Sequence, residues 1–306
     1  MKSFSIVVDS SCDMPSEYLK KHDIEIIPIP FVLDGVNHNI GRQQDLSNEE
    51  FYDSLRNGSI AKTSQTNPDA FVRSFTEYAK RGQDVIYIIL SSTLSATYQS
   101  SQIAYEEIKE VYPDCNIFII DGKSATSITG LLLMLAVKKR EEGFTAEETV
   151  ALLEAKKHNY FGFVTVDNLM YLHRGGRLGK LSAISGSIIG IKPVLNLQPD
   201  GRIALMDKAR GREGAFRLMV SQIQKSIYPE TVLDTVFVSH SDCESDALRL
   251  AEIVKDAVNV RKVEIVMMGP VVGAHVGPDC VALIFQADIT REEYEAQLSR
   301  AKLKTG

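Results

Sequence analysis

A chain of 306 residues is long for one hydrophobic core, so its length predicts two domains. Hydrophobic residues make up 44% and charged residues 24%, a composition typical of soluble globular proteins. The formal charge of −6 argues against attraction of the whole molecule to nucleic acid or to an anionic membrane.

Strand and helix patterns alternate in the first half of the chain. Apolar runs predict strands at residues 4–8, 24–33 (interrupted by two prolines), 85–90 and 116–120. Helical patterns cover residues 15–21, 95–112 and 124–142, and capping-box sequences at residues 47–50 and 145–148 open two further helices. This alternation predicts an α/β fold with a mostly parallel sheet between helices.

The second half has a different pattern. A strand at residues 161–166 is followed by two strand-like segments around the turn Pro199-Asp200-Gly201, which predicts a hairpin. Helices are then predicted at residues 213–227 and 246–258, with strands at 235–239, 262–268 and 280–285. A hairpin combined with α/β units predicts a second α/β domain with a mixed sheet. We place the boundary near residues 156–162, which gives domains 1–158 and 159–306.

Neither a membrane segment nor a metal centre is predicted. The uncharged apolar run at residues 124–137 is shorter than the roughly 20 residues of a membrane-spanning helix, so a buried helix is expected. Transient contact with a membrane remains compatible with the sequence. The four cysteines (Cys12, Cys115, Cys243 and Cys280) lack metal-site or redox spacing and suit a reducing compartment. We therefore expect a cytoplasmic protein without a cofactor.

The segment SSTLSATY at residues 91–98 is the most informative polar cluster. It follows a predicted buried strand and precedes a helix, where α/β proteins bind ligands and free backbone N–H groups attract anions. No Lys or Arg occurs between residues 82 and 108, so hydroxyl groups without a cation favour a single carboxylate over a polyphosphate. Simple capping of the following helix explains the same residues about equally well.

Three other polar segments are weaker. KTSQTNP at residues 62–68 has the pattern of a helix cap, and the glycine-rich loop at 269–278 surrounds a single histidine, His275. Asp9 and Asp13 could bind a metal or share a proton, but we favour local bracing of turns and capping of the next helix.

A basic segment covers residues 174–217, with nine Lys or Arg against three Asp or Glu. It could face phosphate or an acidic partner, although a solvated basic face is the default interpretation. Phe216 is its only aromatic residue, so single-stranded nucleic-acid binding is not supported.

Five motifs together resemble the DegV family of bacterial lipid-binding proteins, over about residues 3–285. They are VDSSCD at residues 8–13, TSQ at 63–65, SSTLSATY at 91–98, RGGR at 174–177 and GAHVGP at 273–278, in the family's order. The resemblance implies two α/β domains that hold a long-chain fatty acid, such as palmitate, in a tunnel between them. It implies that Thr63 and Ser95 hold the carboxylate and that His275 lies beside it.

Members of this family called FakB present the bound acid to a separate ATP-dependent fatty-acid kinase, which makes an acyl phosphate for phospholipid synthesis. The resemblance therefore implies a carrier without catalytic residues, in which Arg174 and Arg177 are candidates for a surface facing the kinase or its phosphate. Ala96 and Thr66 depart from the family's usual Gly and Pro, but neither change removes a hydroxyl group. A free-standing enzyme such as a hydrolase is the alternative, although the sequence lacks a Gly-x-Ser-x-Gly elbow and a phosphate-binding glycine-lysine loop.

Overall fold

A computed structural model describes residues 4–38, 45–178 and 190–305. In its first part the elements are β1 (Ser5–Asp9), α1 (Ser16–Lys21), β2 (Glu25–Ile27), β3 (Phe31–Leu33), β4 (Val36–His38), α2 (Asn48–Arg56), β5 (Ala61–Thr63), α3 (Pro68–Lys80), β6 (Val85–Ile89), α4 (Thr97–Val111), β7 (Ile117–Asp121), α5 (Ser127–Glu141) and α6 (Ala146–Lys156).

The second part begins after a 3₁₀ turn at Lys157–Asn159. Its elements are β8 (Tyr160–Thr165), α7 (Met170–Arg174), β9 (Ile191–Leu197), β10 (Ile203–Arg210), α8 (Gly211–Ser226), β11 (Leu233–His240), α9 (Glu244–Ala257), β12 (Val260–Met267), α10 (Pro270–Val276), β13 (Val281–Gln286) and α11 (Arg291–Thr305). This turn lies within residues 156–162, where the sequence predicts the domain boundary, and the boundary itself stays a prediction.

The first part contains a parallel sheet of order β2-β1-β6-β7, as the alternating pattern predicted. All five residues of β6 are buried, which is why the strand reads as a continuous apolar run. A small antiparallel sheet of order β4-β3-β5 was not predicted. The segment 24–33 supplies a strand to each sheet, because Pro28 and Pro30 lack the N–H group that would continue a ladder.

The second part contains a mixed sheet of order β10-β9-β8-β13-β11-β12. Only β11 and β12 pair in parallel, and the remaining neighbours are antiparallel, which confirms the mixed sheet. The predicted hairpin is β9–β10, where the Gly201 N–H donates to the Gln198 carbonyl at 2.9 Å. The turn contacts the first part of the chain, because the Thr93 hydroxyl donates to the Asp200 carbonyl at 3.3 Å.

Helix α5 lies between the two large sheets and joins their cores. Leu132 and Leu133 of this helix belong to the same apolar cluster as Ile86 of β6 and Ile284 of β13. A helix that packs against a sheet on each side has no face exposed to water, which explains why residues 124–137 are uncharged. The predicted buried helix is confirmed. None of the helices in the described ranges combines the length and apolar composition that crossing a bilayer requires.

Polar contacts fix the two parts against each other. The Tyr52 hydroxyl donates to the Met268 carbonyl at 2.8 Å, and the Ser127 and Ser239 hydroxyls lie 2.9 Å apart. These side chains are buried, so each contact satisfies groups that water cannot reach. The relative position of the two sheets is therefore set by specific polar contacts as well as by the apolar core.

Candidate binding site between the domains

A partly open cavity with about 60 Å³ of internal space lies between the two parts of the chain. The polar residues in its lining are Ser11, Thr63, Ser95, Arg177 and His275. Its apolar lining comes from both parts and comprises Ile29, Leu90, Leu94, Ala125, Leu172, Ile203, Val271, Val272 and Val276. Few polar groups in a mainly apolar cavity are typical of a site that orients a ligand through one end.

Thr63 and His275 are brought into direct contact by the fold. Thr63 ends β5, His275 lies in the last turn of α10, and the Thr63 Oγ1 atom is 2.7 Å from His275 Nε2. Burial and, to a smaller extent, the Arg177 guanidinium lower the pKa of His275 to about 4. The imidazole is therefore neutral at physiological pH.

The hydrogen-bond pattern also assigns the tautomer of His275. Its Nδ1 atom is buried and has no hydrogen-bond partner among the described residues. An unpaired buried N–H group is rarer in proteins than an unpaired acceptor, so the proton belongs on Nε2. His275 then donates to Thr63 Oγ1, and the Thr63 hydroxyl hydrogen is left free to donate into the cavity.

Ser95 lies in the turn before α4, two residues ahead of its first residue. Its Oγ atom is 2.8 Å from Thr97 Oγ1 and accepts a hydrogen bond from the Thr97 N–H at 3.2 Å. Thr97 Oγ1 in turn accepts from the Thr66 N–H at 3.3 Å, which joins the segments around Ser95 and Thr63. Ser95 thus contacts the first residue of α4 and lines the cavity, although α4 has no side-chain cap.

The expectation of a site without a cation is wrong. Arg177 is partly buried in the cavity lining, its Nε–H donates to the Leu94 carbonyl at 2.9 Å, and a second N–H group donates to the Gly175 carbonyl. Burial lowers the pKa of Arg177 from its ordinary value. The sequence could not show this cation beside Ser95, because 82 positions separate the two residues and only the fold joins them.

Arg174 has a different environment from Arg177, although they belong to one motif. Its side chain is exposed on α7, and its guanidinium carbon lies 4.9 Å from the centre of the Tyr171 ring. Arg174 does not line the cavity. The structure therefore separates a surface arginine from a cavity arginine.

Much of the remaining basic segment is neutralised by ion pairs. Arg212 contacts Asp167 at 2.5 Å and Asp246 at 2.6 Å, and Lys192 contacts Asp167 at 2.8 Å. Arg217 is 2.6 Å from Glu213, whereas Lys180 lies outside the described residues. The ion pairs leave little free positive charge on Arg212, Lys192 and Arg217, of which only Arg217 is exposed.

Asp9 and Asp13 have structural contacts. Asp9 is buried and accepts from the Ser11 and Leu90 N–H groups, each at 2.8 Å, which confirms local bracing. Asp13 accepts from the Gly269 N–H at 2.8 Å, and burial raises its pKa to about 7. The expected capping of the next helix is wrong, because α1 has no side-chain cap and Asp13 instead bonds across the domains. No metal-binding cluster occurs within residues 4–38, 45–178 and 190–305.

The fold and the cavity define a class: a two-domain α/β protein with an apolar cavity between the domains and a few polar groups in its lining. A family model described as "Uncharacterised protein, DegV family" matches residues 3–288. The chain belongs to the DegV family. A DegV domain-containing protein of Clostridium perfringens is 35% identical over 288 residues, covering 94% of this chain and 99% of the relative.

Solved structures show the same fold. A DegV lipid-binding protein from Thermotoga maritima matches with a TM-score of 0.83 and 28% identity, covering 95% of this chain and all of the other. A stearic acid-binding protein from Eubacterium ventriosum matches with a TM-score of 0.81 and 26% identity, covering 96% of this chain and 99% of the other.

Proposed function

We propose that this protein binds one long-chain fatty acid, such as palmitate, in the cavity between its domains. Thr63 and Ser95 donate hydrogen bonds to the carboxylate, and His275 orients the Thr63 hydroxyl. The observation that carries this proposal is the 2.7 Å contact between Thr63 and His275 in a mainly apolar cavity. The Thermotoga maritima relative is a lipid-binding protein and the Eubacterium ventriosum relative binds stearic acid, which supports a fatty acid as the ligand.

The energetics of such a ligand divide between tail and head group. Burial of a long acyl tail supplies on the order of 10 kcal/mol, at about 0.8 kcal/mol for each CH₂ group, before ordering costs. The carboxylate contributes less, because hydrogen bonds in the cavity replace those it made with water. Arg177 adds a positive charge that favours the ionised acid over a neutral lipid of equal length.

Native mass spectrometry of the purified protein, followed by denaturation and lipid analysis, tests the proposal. We expect one acyl chain per protein, or uptake of one equivalent of added palmitate by lipid-free protein. Protein that is lipid-free and also fails to bind added palmitate would sink the proposal.

We further propose that the bound acid is presented to a separate ATP-dependent fatty-acid kinase. The exposed Arg174 then belongs to the surface that faces the kinase. Arg177 instead lines the cavity, where its positive charge attracts the carboxylate of the bound acid. The kinase supplies ATP and metal for phosphoryl transfer, so the carrier needs only to orient the carboxylate.

Arg174→Glu should lower the rate of acyl-phosphate formation by a purified fatty-acid kinase about tenfold, because rim charges control encounter with a partner. Palmitate affinity should be unchanged. Arg261→Glu is the control, since it makes the same charge change at the exposed edge strand β12. An equal loss in both variants, or a parallel loss of palmitate affinity, contradicts a kinase-facing role for Arg174.

The Thr63–His275 contact also has the geometry of a nucleophile and its base, as a hydrolase requires. Two features argue against that use. No described residue accepts a hydrogen bond from Nδ1 to orient the imidazole, and a pKa of about 4 makes His275 a weak base at neutral pH. We therefore prefer binding to hydrolysis.

A further inference from the structure

We propose that Gly175 is a positioning residue for the head-group site: the absence of a side chain there lets the His275 ring lie against the backbone and reach Thr63. This inference rests on the proposed fatty-acid binding. It assigns a function to a glycine of the RGGR motif that does not line the cavity.

The space at Gly175 is already occupied by the imidazole. A Cβ atom added to Gly175 would overlap His275 Nδ1 and would lie 3.2 Å from Cε1 of the same ring. It would also lie 3.3 Å from the Tyr171 carbonyl, to which the Gly175 N–H donates at 3.0 Å. The backbone at Gly175 is thus tied to the end of α7, so the ring must move if a side chain is present.

A matching contact holds the two helices together from the other side. Gly277 follows α10 with a φ of +73°, and a Cβ atom added there would overlap the Tyr171 ring. Each helix end therefore receives an aromatic ring of the other helix on a glycine, His275 on Gly175 and Tyr171 on Gly277. This reciprocal packing fixes α7 and α10 in one relative position.

The contact replaces the hydrogen bond that normally orients a functional histidine. Functional histidines usually donate or accept through their second nitrogen, which sets the ring orientation. His275 Nδ1 has no such partner in the described residues and faces Gly175 instead. Steric support from Gly175 on one side and the Thr63 hydroxyl on the other then determine where the imidazole lies.

Gly175→Ala tests this arrangement. We expect palmitate affinity to fall about tenfold, because displacing His275 leaves Thr63 without its orienting donor. NMR titration of the His275 ring should show its pKa rising from about 4 towards the ordinary histidine value as the ring leaves its buried position. Gly176→Asn is the control, since Gly176 has a left-handed backbone in open space, which Asn tolerates.

A second measurement separates positioning from general destabilisation. In a His275→Ala background the added methyl group of Gly175→Ala has space, so it should cause no further loss of affinity. An unchanged His275 pKa in Gly175→Ala, or an equal affinity loss in both backgrounds, would overturn the proposal. If the wild type binds no palmitate, the proposed fatty-acid binding is wrong. The pKa of His275 in Gly175→Ala still tests whether Gly175 positions the ring, so the two proposals can be contradicted independently.

Discussion

Replacing Thr63 by Val together with Ser95 by Ala should weaken palmitate binding about 100-fold, while the protein remains folded. In the proposed complex each substitution removes one donor to the carboxylate, and a hydrogen bond to a charged group contributes roughly 1.5–3 kcal/mol. Valine keeps the shape of Thr63 at the end of β5, so the loss arises from the hydroxyl group. Calorimetric titration of lipid-free protein measures the affinity, and circular dichroism checks the fold.

Ser64→Ala is the matched control, because Ser64 is exposed directly beside Thr63 and does not line the cavity. It should bind palmitate like the wild type. The single variants should show intermediate losses, since two donors to one carboxylate act together. An unchanged affinity in the double variant would place the carboxylate elsewhere in the protein.

Replacing Arg291 by Met should lower the free energy of unfolding by about 3 kcal/mol, because three partly buried carbonyl groups lose their donor. Arg291 is 1% exposed at the start of α11 and remains charged, although burial lowers its pKa to about 10. Its guanidinium donates to the backbone carbonyls of Lys123 at 2.8 Å, Gln198 at 3.0 Å and Lys157 at 3.1 Å. These carbonyls belong to the loop after β7, the β9–β10 turn and the 3₁₀ turn, so one side chain joins both parts of the chain.

Urea denaturation measures the effect of Arg291→Met, with Arg300→Met as the control. Arg300 is exposed on the same helix, so the same substitution there should change the free energy of unfolding by less than about 0.5 kcal/mol. Equal midpoints for the two variants would show that the three carbonyl contacts do not stabilise the native state.

Arg291 also shows a limit of sequence interpretation. The sequence REEY at residues 291–294 is an ordinary helix start, and Glu292 and Glu293 are exposed. Nothing local indicates that the first of these four residues is buried. Its partners are carbonyl groups of the main chain, which no side-chain pattern can reveal.

The sequence alone determined the secondary structure of the two sheets and the apolar helix between them. Period and run length are local properties, so the buried strand β6, the helix α5 and the hairpin β9–β10 could be predicted from their own residues. The capping boxes at Ser47 and Thr145 are confirmed for the same reason, since each joins residues three positions apart. The ordered motifs were sufficient to identify the family.

Only the tertiary structure decided how the site is built. Thr63 and His275 are 212 positions apart, and their contact depends on where β5 and α10 meet. Arg177 and Ser95 are also distant in the sequence, and the fold places both in the cavity lining. The site therefore contains a guanidinium group, which the sequence did not predict. Sheet topology and helix packing determine which distant side chains meet in a site. The local sequence pattern predicts only the conformation and burial of its own segment.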